Sequence, residues 1–134
     1  MENGKYQKAK VERYVDAVTA RLAAIPGVQH VGLGMPLLLG GGGYQVWSKF
    51  WVAGESKNQA GFVHGISQAA TTDYFAALGV RLRSGRNFSP ADRPETPAVT
   101  IINEEFARQK FAHRNPIGMH IGIESDPKTY EIVA

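Results

Sequence analysis

The sequence predicts an α+β fold in which one long N-terminal helix and two shorter helices accompany mixed segments of sheet. The first observation is a helical pattern over Lys5–Ile25, where apolar residues recur at three- and four-residue steps without an internal Gly or Pro. The second is that the remaining chain mixes short β-type runs with short helical patterns and shows no regular βαβ repetition. This arrangement favours α+β over a doubly wound parallel sheet.

The long helix carries one apolar stripe, which predicts the side that the helix buries. Pro26 and Gly27 end the helix, and a strand is expected directly afterwards in Val28–Leu33. The stripe consists of Val11, Tyr14, Val15, Val18, Leu22 and Ile25.

A run of four glycines, Gly40–Gly43, predicts a mobile loop because it has no side chains to pack. The following segment, Tyr44–Val52, alternates in the way of a strand, and both of its faces carry aromatic residues. Gly54–Gly61 is typical of a polar turn region, and Phe62–Ser67 of a further short strand.

The second half of the chain contains two short helices with recognisable ends. Thr71 or Thr72 is expected to cap the helix Asp73–Leu78, which Gly79 ends in the left-handed conformation. Asn103 is expected to cap the last helix, which covers Glu104–Phe111. The extended segments expected in this half are Val80–Arg83, Val99–Ile102, a strand that starts with Ile121 and Ile123, and Tyr130–Val133.

Composition limits the classes of protein to which the chain can belong. Its 134 residues are 43% hydrophobic and 20% charged, which is enough apolar material for the core of one domain. Cysteine is absent, which excludes a disulfide scaffold, a thiol nucleophile and cysteine-based metal sites. The net charge of +3 is spread along the chain, and no apolar run approaches the ~18 residues of a membrane-spanning helix.

One motif raises the alternative of a small serine hydrolase. Residues 65–69, Gly-Ile-Ser-Gln-Ala, approach the nucleophile-elbow pattern G-x-S-x-G, although Ala69 replaces the last glycine. Ser67 would need a histidine as its base, and His113 or His120 is the candidate. No two histidines lie three or four residues apart and no nucleotide-binding glycine motif is complete, so neither a metal site nor a cofactor is predicted.

Two groups of residues are candidates for an interaction surface. Trp47 and Trp51 lie on one side of the same predicted strand, beside a glycine-rich loop, and large aromatic residues are common at protein interfaces. Arg81 and Arg83 lie on one face of an extended segment and open the densest basic cluster, which continues to Arg93. The cluster raises the alternative of a weak nucleic-acid-binding module, for which a solvated strand face is the simpler interpretation.

Five short motifs follow one another along the chain. They are Pro26-Gly27-Val28, Asp73-Tyr74-Phe75-x-x-Leu78-Gly79-Val80, Gly85-Arg86-x-Phe88-x-x-x-Asp92, Val99-x-Ile101-Ile102-Asn103-Glu104-x-x-Ala107-Arg108 and Pro116-Ile117-Gly118-x-x-Ile121. In this order the chain resembles, from about residue 10 to its end, the periplasmic core domain of MacB-like permeases. It is most similar to the FtsX-like orphan permeases of that family, which lack a fused ATPase. The motif residues supply turns, caps and packing, and the resemblance implies no catalytic residue.

The resemblance implies a non-catalytic domain that projects from the cytoplasmic membrane into the periplasm between transmembrane helices. It also implies that the domain couples the motion of those helices to envelope partner proteins, in export or mechanotransmission. The implied partners are its own transmembrane helices, an ABC ATPase subunit on the cytoplasmic side and a periplasmic adaptor. No nucleic acid and no cofactor is expected, and a homo-oligomer is kept as an alternative to a monomer.

We expect residues 1–134 to form one extracytoplasmic domain that is a fragment of a larger membrane protein. The chain ends inside the apolar run Tyr130–Ala134, and a strand with no terminating turn suggests a cut boundary. Because family members divide this region into two lobes, the early helix–strand unit and the later part are expected to pack semi-independently. A missing neighbour would leave a sheet edge exposed.

Overall fold

The computed structural model describes residues 2–35, 47–55, 61–112 and 114–134, with only the backbone described for residues 2–9 and 35. Its helices and mixed sheet form the α+β fold that the sequence predicts. The helices are α1 (Glu2–Ala23), α2 (Tyr74–Ala77) and α3 (Glu104–Phe111). The strands are β1 (Gly34–Met35), β2 (Trp47–Val52), β3 (Val63–Ile66), β4 (Ala69–Ala70), β5 (Val99–Thr100), β6 (His120–Ile123) and β7 (Asp126–Ile132).

Some expectations fall on parts of the chain that the structure leaves undescribed. The loop Gly40–Gly43 and the start of the strand at Tyr44 lie outside the described residues, and so does most of the turn region that ends at Gly61. Within the described ranges, no helix is both long and apolar enough to cross a membrane.

Helix α1 is about 33 Å long, and most of its apolar stripe is not buried. Val15 and Val18, in the middle of the stripe, are half-buried, and the neighbouring Asp16 lines a cleft shared with residues 67–72. The exposed members of the stripe are Val11, Tyr14, Leu22 and Ile25. The expectation that the whole stripe forms the buried side of the helix is therefore wrong for the described residues, because only its middle lies against the domain.

The segment that follows α1 is not the strand expected in Val28–Leu33. Strand pairing starts later, where β1 runs antiparallel to β4. Beside this pair, the Leu33 N–H donates to Thr71 Oγ1 (2.9 Å), and the Thr71 N–H donates to the Leu33 carbonyl (2.9 Å). These contacts attach α1 to the rest of the domain through a short two-stranded sheet.

Tyr74, the first residue of α2, holds this connection in place. Its side chain is buried, and the backbone at Gly34 passes so close that an added Cβ would lie 2.3 Å from the Tyr74 ring. Glycine is thus required here for close packing. The residue before α2, Asp73, makes no capping hydrogen bond with its side chain, so the expected cap by Thr71 or Thr72 is wrong. The hydroxyl of Thr71 is already bonded to Leu33.

The larger sheet has five strands in the order β3-β2-β6-β7-β5. Neighbouring strands are antiparallel except β5 and β7, which are parallel. Helix α3 packs on one face, where the ring of Phe106 meets Phe50 edge-on at 5.6 Å and Phe111 is buried. The core consists of Phe50, Val52, Phe111, Ile121, Ile123 and Ile132.

Helix α3 agrees with the sequence in both its bounds and its cap. The Phe106 N–H donates to Asn103 Oδ1 at 2.8 Å, which satisfies one of the free donors in the first turn.

The left-handed end of α2 is also confirmed, since Gly79 has φ +68°. Strand β7 starts four residues before the expected Tyr130, because the polar segment from Asp126 pairs with β6 around a bulge.

The last four residues, Glu131–Ala134, connect segments that are far apart in sequence. The Glu131 and Val133 N–H groups donate to Ala98 and Thr100 (2.8 and 2.9 Å), and the Ile132 N–H donates to Met119 (2.8 Å). The Ala134 carbonyl accepts from the backbone N–H of Ile102 (2.9 Å), and the Val133 carbonyl accepts from the backbone N–H of Arg86 (2.8 Å).

The motif Gly85-Arg86-x-Phe88-x-x-x-Asp92 forms one compact loop. The Arg86 guanidinium donates to both carboxylate oxygens of Asp92, at 2.8 and 2.9 Å, and the Ser89 N–H donates to the same carboxylate at 2.7 Å. The Phe88 ring lies 6.2 Å from that of Phe75 on α2. These contacts bind the loop to itself and to α2, as expected of fold determinants.

Gly85 and Gly79 differ in a way that predicts unequal costs of substitution. Both have positive φ, but a Cβ at Gly85 would lie 2.0 Å from the Val133 carbonyl oxygen, whereas a Cβ at Gly79 would contact nothing within 4 Å. Gly79→Ala should cost about 1–2 kcal/mol through backbone strain alone. Gly85→Ala should cost about 1–3 kcal/mol more, because it also displaces the Arg86 acceptor. Equal losses in chemical denaturation would contradict this.

Asp92 is expected to stabilise the fold in a pH-dependent way. The Arg86 guanidinium and Ser89 hold the pKa of Asp92 at about 2, below its ordinary value of 3.8. Because the folded pKa is depressed, the contribution is complete above the ordinary pKa and is lost as the pH falls towards 2. The stability difference between wild type and Asp92→Asn should therefore shrink between about pH 5 and pH 2. A difference independent of pH in denaturation experiments would refute the assignment.

Candidate interaction surface

The five-stranded sheet has one face packed against α3 and one face without a helix among the described residues. Alternation along β2 separates the two faces: Ser48, Phe50 and Val52 are buried on the α3 side. Trp47, Lys49 and Trp51 therefore point to the opposite side, which we call the outer face. This agrees with the expectation that the two tryptophans share one side of the strand.

Trp51 is held in place on the outer face. It pairs across the sheet with Gly122 of β6, and a Cβ at Gly122 would lie 2.3 Å from the indole, so the ring lies directly on the glycine backbone. A further neighbour is Phe62, whose ring meets the indole edge-on at 6.1 Å. The Lys49 ammonium lies 5.9 Å from the Phe62 ring centre and forms an ion pair with Glu124 at 3.1 Å.

Trp47 has no comparable packing against the described residues and is 66% exposed. It lies directly across from Ile66 of β3, which is also exposed. Trp47 with Ile66 and Trp51 with Phe62 form two apolar pairs at the β2–β3 side of the outer face, with Lys49 and His64 between them. We call these four apolar residues the aromatic face. A rigid, exposed tryptophan on a strand is well suited to fill a pocket on a partner protein.

Arg81 and Arg83 belong to a different part of the surface. Both are exposed, and the Arg83 guanidinium donates to the Glu104 carboxylate at the start of α3. Because α3 covers the face opposite to Trp47 and Trp51, the structure separates the two pairs of candidate residues. Trp47 and Trp51 would contribute to one surface, and Arg81 and Arg83 would contribute to another.

Two arginines of the basic cluster form ion pairs with carboxylates, and a third makes a hydrogen bond to a backbone carbonyl. Arg86 is bound to Asp92, Arg83 to Glu104, and the Arg93 Nε donates to the Pro90 carbonyl at 3.0 Å. A nucleic-acid site requires guanidinium groups free to meet phosphates. The two ion pairs therefore reduce the number of guanidinium groups in the cluster that are available to phosphates.

The geometry also separates the residues proposed for a serine hydrolase. Ser67 follows Ile66, which pairs with the first residue of β2, Trp47. His120 lies at the other end of β2, where its carbonyl accepts from the Ala53 N–H at 2.8 Å. A six-residue strand spans roughly 20 Å, so the two side chains cannot share a proton. His113 lies outside the described residues.

Ser67 lines an open cleft of about 640 Å³ between α1 and the sheet, and no histidine lies among the described residues of its wall. The described residues also contain no cluster of His, Cys, Asp or Glu that could hold a metal ion.

The shifted pKa values have local causes. Arg108 and Gln109 lower the pKa of Glu105 to about 2, and Asp126 raises the pKa of Tyr130 to about 12. These pairs stabilise a helix and a strand.

Sequence reasoning missed Phe62, Ile66 and Gly122 as members of the outer face. The signal for Gly122 was present, since a glycine between Ile121 and Ile123 leaves an outward position without a side chain. Which residue would fill that space depends on the register between β2 and β6, which periodicity alone does not provide.

The described residues thus define an α+β domain whose outer face carries two tryptophans together with polar side chains, and they do not bring Ser67 and His120 together. The chain belongs to the family of MacB-like periplasmic core domains, whose family model matches residues 6–134. The periplasmic region of MacB from Actinobacillus actinomycetemcomitans has a similar fold, with a TM-score of 0.58 and 16% sequence identity.

That similarity covers 86% of this chain and 46% of the MacB region, so the chain spans about half the length of its solved relative. At this level of identity the likeness shows the fold. None of the curated proteins matches the chain.

The two tryptophans should respond differently to truncation. Trp47→Ala removes an exposed ring and should change the free energy of unfolding by less than about 0.5 kcal/mol. Trp51→Ala should cost about 1–3 kcal/mol, because the indole covers Gly122 and contacts Phe62. Thermal or chemical denaturation measures both. Equal costs would mean that Trp47 is part of the scaffold and not of a free surface.

Proposed function

We propose that this chain is the periplasmic domain of an FtsX-like ABC-type permease and that it couples membrane-helix motion to envelope partner proteins. The observation that carries the proposal is the family match over residues 6–134. The domain would face the periplasm on an inner-membrane protein and act without chemistry of its own. Its partners would be the transmembrane helices of the same protein, an ABC ATPase subunit and a periplasmic adaptor.

The attachment of α1 supports a role in transmitting motion. Helix α1 is long. Among the described residues, the middle of its apolar stripe is half-buried, and the β1–β4 pair follows it in the chain. The Leu33–Thr71 hydrogen bonds and the close contact of Gly34 with Tyr74 fix this joint to α2. A displacement of α1 would therefore move the α2 region first and the sheet through it.

The exposed parts of the stripe support a place for this chain within a larger assembly. Apolar residues on one side of a helix require a packing partner, and Val11 and Tyr14 have none among the described residues. The solved relative contains about twice the length of chain that matches here. We propose that further parts of the permease cover these residues.

The aromatic face is the surface that we assign to a partner in the envelope. It lies on the side of the sheet away from α3, and its exposed residue Trp47 costs little to desolvate. Arg81 and Arg83, beside the start of α3, are assigned to a second and more polar contact. Exposed charged pairs of this kind contribute specificity and association rate more than affinity.

Coupling predicts that the accessibility of position 47 depends on the state of the ATPase. In the whole permease, with all other cysteines removed, Trp47→Cys should react with a membrane-impermeant maleimide in intact spheroplasts. Trapping the ATPase with ATP and vanadate should change the rate of labelling several-fold, because the partner contact changes with the conformational state. Lys128→Cys, on an exposed part of β7, is the matched control and should keep its rate.

Two results would contradict the proposal. Labelling only after permeabilisation would place the domain on the cytoplasmic side. A complete reading frame without apolar helices of about 20 residues on either side of this domain would exclude a permease.

A further inference from the structure

The direction of hydrogen bonds along β2 determines which backbone groups of β3 face outwards. The Lys49 carbonyl accepts from the Glu124 N–H (2.9 Å), and the Ala53 N–H donates to the His120 carbonyl (2.8 Å). Alternate residues of an antiparallel strand point to the same neighbour, so odd-numbered residues of β2 bond to β6 and even-numbered ones bond to β3. Phe50 and Ser48 therefore bond to β3.

The register then gives the open edge of the sheet. Ser48 pairs with Gly65 and Phe50 pairs with Val63, so these two residues of β3 point their N–H and carbonyl groups towards β2. The N–H and carbonyl groups of His64 and Ile66 point away from β2. Among the described residues no strand pairs with this side, because β3 is the edge of the sheet.

This edge lacks most features that prevent strands from pairing. Its four residues, Val-His-Gly-Ile, include no proline, no lysine and no bulge, and only the shortness of the strand protects it. The nearest charged group on the outer face, Lys49, is paired with Glu124. Exposed Ile66 and Trp47 lie beside the edge and offer apolar area to whatever pairs there.

We propose that β3 pairs with β3 of a second copy of this chain, antiparallel and centred on Gly65. In this register His64 lies opposite Ile66 of the second copy, and Ile66 lies opposite its His64. Each such pair exchanges two hydrogen bonds, so every outward backbone group on both edges finds a partner. The edge is self-complementary, and the two sheets become one continuous sheet.

The side chains fit this arrangement on both faces. The two Gly65 residues form the narrow pair at the two-fold axis, where Cα atoms approach to about 4.5 Å, and glycine places nothing between the buried Phe50 rings. Phe50 already lies 3.2 Å from the position of a Gly65 Cβ, so a larger residue would crowd this point. On the outer face, Ile66 of each copy lies beside His64 of the other, and Trp47 lies one strand further from the two-fold axis.

Sedimentation equilibrium of this chain tests the proposal. Wild type should shift from monomer to dimer between about 10 μM and 1 mM, the range expected for a small interface. Ile66→Pro removes an outward N–H that bonds to none of the described residues, and should weaken dimerisation at least about tenfold while the fold, followed by circular dichroism, is retained. Ile66→Ala keeps the N–H and should weaken it less.

A disulfide experiment tests the register, because the natural chain has no cysteine. Under oxidation, a mixture of His64→Cys and Ile66→Cys chains should yield crosslinked heterodimers several-fold faster than either variant alone, since positions 64 and 66 of different copies are directly opposite. The proposal is overturned by a wild type that stays monomeric throughout. It is equally overturned by an Ile66→Pro variant that dimerises like wild type, or by crosslinking without preference for the mixture.

Discussion

The fold depends on the hydrogen bonds made by its last four residues, Glu131–Ala134. Strand β7 is the only described strand with both an antiparallel and a parallel neighbour, and its end also receives the Arg86 loop. Ile132, which has no exposed surface, joins the α3 side of the sheet at the same place. Without this strand, β5 and the Gly85–Asp92 loop would lose their connection to β6, because their contacts to it run through β7.

The two faces of the sheet differ in how tightly their side chains are packed. Alternate residues of β2 enter either the core or the outer face, so a single strand supplies Phe50 to the one and Trp47 to the other. The two tryptophans of the outer face also differ in their packing. Trp51 is fixed by Gly122 and Phe62, which makes it a rigid base, while Trp47 stands free beside it. Trp51 is therefore fixed by its neighbours in the sheet, whereas the Trp47 side chain is largely exposed.

The sequence predicted those features that depend on neighbouring residues. Helix α3 and its Asn103 cap follow from local chemistry, as does the left-handed Gly79. The burial of the apolar stripe of α1 could not be predicted in this way, because periodicity shows that a helix has an apolar side but not what covers that side. The strand expected before Leu33 failed for a related reason: the hydrogen bonds of that residue go to Thr71, a partner 38 residues away.

The candidate surface shows the same limit. Alternation placed Trp47 and Trp51 together, but their separation from Arg81 and Arg83 follows from the position of α3 relative to the sheet. Pairing register, which joins Trp51 to Gly122 and Trp47 to Ile66, is a property of two strands at once. The sequence of one strand alone therefore does not determine which residue of the neighbouring strand lies opposite.

The dependence of the sheet on Glu131–Ala134 has a consequence for how the domain is made. The acceptors and donors that these residues satisfy, from Arg86 to Met119, emerge from the ribosome earlier and must wait for their partners. Contacts of such long sequence separation form slowly, and unpaired strand edges are exposed in the meantime. If the domain is exported as it is synthesised, the contacts of β7 form only after that strand has passed through the translocation channel, so the preceding segments cross the membrane without them.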